Sequence, residues 1–575
     1  MLTERPNRCQ SDNPNLGLDE ACLDIFNELF TIVNVTGQYD ECDGCEFQTL
    51  ALMPPNTTTS IIVDTQYSLQ LRYNLTGDST CEFNKLYYEH YRYGLNITKG
   101  NCTTTYIKEP ADSAYLPILS AFIILFSFGT IWYMVKCIYK CTKNNEIWQR
   151  YIVRSIGIEN DLGSPLDNSS LINERPPSVR KHPHRIKSID VFRGLCICVM
   201  IFVNYGGGGY WFFRHSVWNG LTVADLVFPW FVWLMGISLT VSLSNKLRRA
   251  VPRRQIFMGL LRRSLILLFV GIILNSNEHR IYDLSNLRFP GVLQRLAVTY
   301  LIVGMIEVIF AKRTISVNEF GRLAFLEDIL IAIPQWIIML TFVLVHSLIT
   351  FLMEVPECGR GYLGPGGLQD MAQHVNCTGG AAGYIDRIIF GEHMYKKPTC
   401  KILYETTLYY DPEGIIGTLT SCLLMYMGVQ AGHILHTYTN VKTRTIRWVI
   451  WGLVMSLLGG ILCGFTRNHG LIPINKNLWS LSFVLVVGGM AFLIEACLFV
   501  MVDILRKWGG RPLFYPGMNA IMLYIGHILL KDTFPFSWVP TDKTHSALLY
   551  MNLWGMVLWM VISIFLYRQN IFFSI

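Results

Sequence analysis

The sequence is poor in charge: Asp, Glu, Lys and Arg make up 15% of its 575 residues, while hydrophobic residues make up 51%. A soluble chain of this length carries roughly 25% charged residues, so the composition favours lipid over water. Several catalytic signatures are missing. There is no GxxxxGK followed by Ser or Thr, no HExxH and no GxSxG, which removes P-loop nucleotide hydrolysis, HExxH zinc chemistry and serine-elbow hydrolysis. The 13 histidines are scattered without ligand spacing, so no metal is expected. Zinc-finger spacing and basic-aromatic binding segments are missing too, and the net charge of +7 does not point to nucleic acid.

What is present divides at about residue 114. The stretch before it holds the sequons at Asn34, Asn56, Asn74, Asn96 and Asn101, together with Cys9, Cys22, Cys42, Cys45, Cys81 and Cys102. Glycan acceptors and cysteines at this density indicate an exported, disulfide-bearing domain. Six cysteines leave 15 pairings open, and Cys42-Asp-Gly-Cys45 has the spacing of a redox or zinc pair as well. Alternation from Ser60 to Tyr73 reads as strand, so residues 1–114 are expected to be a small β-rich domain. Export calls for a leader, and Met1-Leu-Thr-Glu-Arg-Pro6 has no apolar h-region. The chain is therefore expected to begin after a removed leader, or the gene to be truncated at its start.

The remainder reads as an all-α polytopic bundle. Apolar stretches able to cross about 30 Å of hydrocarbon fall near 115–135, 189–209, 222–243, 256–274, 290–310, 327–350, 414–435, 446–464, 479–501, 516–531 and 547–567, giving about eleven transmembrane helices. The tenth is short and follows Pro516-Gly517, so a tilted or broken helix is expected there. With the amino terminus outside, basic Lys246, Arg248, Arg249, Arg253 and Arg254, and Lys442, Arg444 and Arg447, fall in the cytosol. The 136–187 linker joins them with ten Lys/Arg against five Asp/Glu. This is the inside-positive bias, and it puts the carboxy terminus in the cytosol. The same assignment exposes the 351–413 loop, with Cys358, Cys377, Cys400 and the Asn376 sequon, to the lumen. Residues 188–575 then form a ten-helix domain. Within the linker, Asp167-Asn-Ser-Ser-Leu171-Ile172 has the form of an acidic dileucine sorting signal.

Polar groups at membrane depth are the leads to function. Asn204, the run Gly206 to Gly209, His215 and Asp225 cluster at one mouth of the second and third spans. Glycines permit close backbone approach, as packing or a turn also requires. An Asp that orients an imidazole leaves its other nitrogen free to take a proton. Arg262 and Arg263, with Arg193, can meet a polyanion from the cytosol or simply anchor the helix ends. Arg295, Glu307, His346, His433, Glu495, Asn519 and His527 are the remaining membrane-depth groups. The residues alone leave two classes open, a membrane enzyme with a luminal histidine and a transporter; no internal repeat of the kind transporters carry is evident.

Longer strings narrow the choice. Asp190-Val-Phe-Arg-Gly194, Phe202-Val-Asn-Tyr-Gly-Gly-Gly208, Trp218 to Val232, Pro290-Gly-Val-Leu-Gln-Arg-Leu296, Gly361-Tyr-Leu-Gly-Pro-Gly-Gly367, Tyr410-Asp-Pro-Glu-Gly414, Pro473-Ile-Asn-Lys-Asn-Leu-Trp-Ser480 and Phe514-Tyr-Pro-Gly-Met-Asn519 together resemble the heparan-alpha-glucosaminide N-acetyltransferase family. The likeness runs over essentially the whole chain. It implies a multispanning lysosomal membrane enzyme that moves acetyl from cytosolic acetyl-CoA, its only co-substrate, to terminal glucosamine of heparan sulfate. By the same resemblance His215 is the active histidine and Asn204 and Asp225 its partners. Asp190, Arg193, Arg262, Arg263, Gly206, Gly207 and Gly208 are the candidate donor contacts. Gly209 stands where a lysine would be expected, and Arg214 replaces a lysine nearer the histidine. Both a ternary complex, which is favoured, and a ping-pong route through acetyl-His215 are open. The odd cysteine among nine luminal ones is left free, paired with Cys463, or linking a homodimer.

Overall fold

The computed structural model describes Cys9 and residues 16–74, 80–98, 104–108, 114–143, 185–276, 287–311 and 326–573. The chain forms two compact units, 1–110 with 186–575, and 111–185. In the second, the described residues form α1 (Leu116–Lys143), an apolar helix long enough to cross a bilayer. The dileucine motif and most of the 136–187 linker lie outside the described residues, as does Cys102.

The first unit opens with a two-sheet β-domain. β1 (Glu20–Asn27), β4 (Thr58–Asp64), β7 (Arg92–Ile97) and β8 (Thr104–Lys108) form one sheet in the order β4-β1-β7-β8. β2 (Val33–Tyr39), β3 (Gln48–Met53), β5 (Leu69–Asn74) and β6 (Thr80–Lys85) form the other, in the order β3-β2-β5-β6. Only the β1–β7 pairing is parallel. Alternate residues Leu23, Ile25, Val33, Val35, Leu69, Leu71, Tyr73, Leu95 and Ile97 are buried between the sheets, the period of two that a half-buried strand imposes. The alternating 60–73 stretch thus becomes two strands, β4 and β5, joined by a turn. Cys9 bonds Cys22, and Cys42 bonds Cys45, so the Cys42-Asp-Gly-Cys45 spacing closes a turn as a disulfide. The described sequon residues Asn34, Asn56, Asn74, Asn96 and Asn376 are all exposed.

The helices that follow are α2 (Lys187–Asn204), α3 (Val223–Arg248), α4 (Arg253–Ser276), α5 (Val292–Phe310), α6 (Ile333–Leu352), α7 (Gly380–Phe390), α8 (Ile416–Thr437), α9 (Val441–Leu462), α10 (Leu481–Leu498), α11 (Phe514–Met518), α12 (Ala520–Leu529) and α13 (His545–Arg568), besides single turns. Among the described residues, eight helices are long and apolar enough to span a membrane: α1, α3, α4, α5, α6, α9, α10 and α13. The three other expected positions hold helices of a different kind. α2 carries Lys187, Asp190 and Arg193; α8 is buried almost throughout. The tenth position breaks at Asn519 into α11 and the ten-residue α12. Helices surrounded by other helices have no need of an apolar exterior, which is why hydropathy alone separates them poorly from the rest.

Glycine sets the closest packing. A Cβ on Gly236 would stand 2.0 Å from the carbonyl of Met425, and one on Gly428 would stand 2.0 Å from that of Trp233. α3 and α8 therefore cross with backbone against backbone, and any side chain at either position forces them apart. α2 begins where it does because the Asp503 carboxylate accepts from the N–H groups of Lys187 (3.0 Å) and Ser188 (2.9 Å), which a helix start otherwise leaves unpaired. Cys358 bonds Cys377. Cys400 is the free cysteine of that loop and is fully buried, its Sγ 3.7 Å from Thr406 Oγ1; Cys463 is also free and buried. Neither offers the intersubunit disulfide that an odd cysteine suggested.

Two acids outside the spans, half-buried Asp64 and buried Asp386, give the fold a pH dependence. Burial pushes Asp64 up to about 6, against the N–H that Gln66 donates to it, and burial pushes Asp386 up to about 6, against the N–H of Ile415. Both lie above the ordinary 3.8 of an aspartate. Each therefore adds stability that is complete below pH 3.8 and is lost as pH rises through 6. Between pH 7.5 and 5 the gain is about 1.4 kcal/mol per group. Thermal unfolding in detergent should show a higher midpoint at pH 5 than at pH 7.5, and Asp64→Asn should flatten that difference. A midpoint that falls on acidification would overturn this assignment.

Candidate active site

The site forms where α2 ends and α3 begins, at the β-domain end of the bundle. Between the two helices Gly206, Gly207, Gly208 and Gly209 all have φ between 58° and 124°, a run of conformations that side-chain-bearing residues rarely adopt. The run is a docking turn for α13. Gly208 N–H donates to Asn552 Oδ1 (2.8 Å), whose amide donates in turn to the Tyr205 carbonyl (2.7 Å), and His545 Nδ1 donates to the Gly208 carbonyl (2.9 Å). The N–H groups of Gly206 and Gly209 are bonded to Val203 and Gly206 carbonyls. Three of the four amides of the run are thus already engaged. His545 Nε2 lies 3.1 Å from Glu89 Oε2 and 3.7 Å from Asp19 Oδ1, and Arg214 Nη2 is 3.3 Å from Asp19 Oδ2. These contacts seat the β-domain on the glycine turn.

Beyond the turn, Thr222-Val-Ala-Asp225 starts α3 as a capping box. The Asp225 carboxylate divides its work between its two oxygens. Oδ2 accepts from Thr222 N (3.2 Å), Thr222 Oγ1 (2.9 Å) and Ser216 N (3.2 Å), while Oδ1 lies 2.7 Å from His215 Nδ1. With Asp225 fully buried, this carboxylate fixes the proton on Nδ1 and leaves the Nε2 lone pair free, the arrangement of an oriented base. Lys476 completes the cluster from the segment before α10. Its Nζ lies 3.3 Å from His215 Nδ1, 3.5 Å from Nε2 and 4.0 Å from Asp225 Oδ1. Asn204 donates from Nδ2 to His527 Nε2 (2.9 Å), and His527 is oriented by donating from Nδ1 to the Leu523 carbonyl (3.0 Å).

His215 lies between two cavities. One, of about 320 Å³, is walled by α2, α3 and α12 and lined by Asn204, Phe228, Arg288, Glu413, Lys476 and Tyr524 among others. In it Arg288 is fixed by Asp411 and Glu413, each at 2.7 Å. The second, of about 200 Å³, lies on the β-domain side. His215 is the one residue common to both linings. A larger cavity of about 560 Å³, between the β-domain and the 351–413 loop, shares no residue with these two walls except Gln66, and does not reach His215.

The donor candidates are dispersed. Arg193 is held by Asp190 (3.2 Å), the Gly517 carbonyl (3.3 Å) and Ser238 Oγ (2.8 Å). Arg262 is exposed, and Arg263 stacks on Tyr300 with its guanidinium carbon 4.7 Å from the ring centroid. α4 starts at Arg253, so these two arginines lie roughly 13 Å inside the helix and not at its end. The structure brings His215 and Asp225 together as the sequence suggested and sets Asn204 against His527, which the sequence offered only as one membrane-depth group among several; Lys476 and Arg288 were not among the candidates. The one available signal for Lys476 was a lone cation between Asn475 and Asn477 with no acid nearby.

The catalytic model of heparan-alpha-glucosaminide N-acetyltransferase matches residues 185–343. The Homo sapiens heparan-alpha-glucosaminide N-acetyltransferase is 38% identical over 593 residues, covering 97% of this chain and 88% of its own. The chain belongs to the heparan-alpha-glucosaminide N-acetyltransferase family. Its Mus musculus member is 37% identical over 596 residues, covering 99% of this chain and 91% of its own. Membership in this family gives the chain an acetyltransferase role and makes it a multi-pass membrane enzyme. The family's catalytic model takes in Asn204, His215 and Asp225, whereas Lys476 lies beyond it.

Proposed function

We propose that this enzyme carries acetyl from cytosolic acetyl-CoA to the terminal glucosamine amine of heparan sulfate on the β-domain side, the lysosomal lumen. The observation that carries the reading is His215, oriented by Asp225 and set between two cavities, one for each substrate. An ammonium cannot attack a thioester. The acceptor therefore first gives up one ammonium proton to water; as the amine nitrogen forms its bond to the acetyl carbon, His215 Nε2 takes a second proton from it, and the C–S bond breaks. The imidazolium then returns the proton to the departing thiolate, so coenzyme A leaves as the thiol. Asn204, through its second amide N–H, and Lys476 are assigned to the oxyanion that develops between these steps. The engaged amides of the glycine turn make it a poorer donor to that charge. Arg262 is assigned to the donor phosphates, with Arg263 beside it and Asp190 holding Arg193 in position.

A luminal amino terminus is supported by the exposed sequon asparagines and the inside-positive loops, and a homodimer remains part of the proposal without a disulfide to join it. The test is transfer across a sealed bilayer. Labelled acetyl-CoA outside proteoliposomes and glucosamine-ended heparan fragments inside should give labelled fragments only when the chain is present with its cytosolic face outward. Absence of product from folded chain would sink the assigned reaction.

A further inference from the structure

The 200 Å³ cavity on the far side of His215 has walls from three parts of the chain. The β-domain contributes Asp40, Glu41 and Tyr67; the glycine-turn segment contributes Trp211; and the segment before α10 contributes Arg467. The roof is fixed in place. Arg467 forms an ion pair with Glu41 and donates from Nε to the Asn219 carbonyl (3.1 Å), Tyr404 Oη donates to the Glu41 carbonyl (3.0 Å), and Asp43 N–H donates to Tyr404 Oη (3.2 Å). The turn carrying these residues is closed by the Cys42–Cys45 disulfide, a structural use for that pair. Inside, the chemistry is mixed: an indole 44% exposed, two carboxylates, a phenol and a guanidinium around the exposed edge of His215.

We infer that this cavity is the acceptor subsite, and that the β-domain recognises the amino sugar, with Trp211 as the platform for the pyranose face and Asp40 as the anchor for its ammonium. The inference rests on the acetyl-transfer reading for its direction and adds what that reading lacks: the side of His215 from which the acceptor arrives and the residues that select it. An apolar ring face and a cationic substituent on one small polar molecule need an aromatic surface and a carboxylate at short range, and this cavity offers both. The cavity on the other side is walled in part by α2, α3, α5 and α12 and suits the acyl arm of the donor.

The test uses the full chain and two readouts. Binding of a glucosamine-ended heparan disaccharide, followed by saturation-transfer NMR without donor, should be evident in the wild type and lost in Trp211→Ala. In the transfer assay, Trp211→Ala should raise the acceptor KM about tenfold or more, the size of one lost aromatic contact, with the acetyl-CoA KM unchanged. Trp211→Phe should recover part of the loss. Asp40→Asn, at an exposed position that tolerates the change, should weaken the disaccharide without altering the thermal midpoint. Equal disaccharide binding by wild type and Trp211→Ala, no binding by wild type, or a rise in the acetyl-CoA KM alone would each overturn the assignment. Binding that behaves as expected without any transfer would leave the subsite standing and count against the acetyl-transfer reading alone.

Discussion

His215→Ala is expected to lower kcat for acetyl transfer by about 10³-fold, within the range that a positioned general base contributes, with both KM values little changed. The His215 side chain is 39% exposed, so its removal costs the fold little and the loss reports chemistry. Asp225→Asn is expected to fall by about 10²-fold or more, for a reason visible in the hydrogen bonds. The carboxylate accepts at every contact: His215 Nδ1 on one oxygen, Thr222 and Ser216 on the other. An amide cannot accept on both sides. If its oxygen faces His215, its N–H₂ faces the N–H groups of the α3 cap; if its N–H₂ faces His215, the imidazole proton moves to Nε2 and the base is gone. A His215→Ala chain that retains a tenth of wild-type kcat would move the base to another residue. The two routes separate in the same experiment: labelled acetyl-CoA without acceptor leaves label on the wild-type protein in a ping-pong reaction and none in a ternary complex.

The sequence made part of this site legible and concealed the rest. His215 and Asp225 are ten residues apart across one turn, so a local reading could join them. Asn204 was placed correctly at the mouth, but its partner His527 comes from 323 residues away and no pattern announces it. The glycine run illustrates the opposite failure. Composition says that a backbone can be approached there, not by what, and the approaching group is Asn552 of α13. Hydropathy read α1, α3, α4, α5, α6, α9, α10 and α13 as apolar spans, and the short stretch after Pro516-Gly517 as a tilted or broken helix, which the break at Asn519 before the ten-residue α12 bears out. The expected 256–274 span already held Arg262 and Arg263, and the helix start at Arg253, three residues earlier, sets them one turn deeper. The strands of the β-domain were visible as alternation from 60 to 73, whereas the pairing of sheet edges, including the single parallel β1–β7 contact, depends on long-range packing that alternation does not encode.

Lys476→Met is expected to lower kcat by about 10²- to 10³-fold, the loss seen when one donor to a developing oxyanion is removed. Lys476 is nearly buried, at 8% exposure, and its Nζ sits 3.5 Å from His215 Nε2, beside the place where the acetyl carbon must lie for Nε2 to serve the attacking nitrogen. The same ammonium also faces Asp225 at 4.0 Å, so a purely neutralising role competes with the catalytic one. The two make different predictions. If Lys476 only balances Asp225, Lys476→Met loses thermal stability, and adding Asp225→Asn removes the unbalanced charge and restores both stability and the rate of Asp225→Asn alone. If Lys476 also stabilises the transition state, the double variant regains stability while kcat stays below that of Asp225→Asn, and the coupling energy of the cycle separates the two terms. Arginine is a poor substitute at this position, because a planar fork does not fill the space of a compact ammonium, so Lys476→Arg should recover charge without recovering rate. A Lys476→Met chain with wild-type kcat and reduced stability would confine Lys476 to holding Asp225, and the oxyanion would then fall to Asn204.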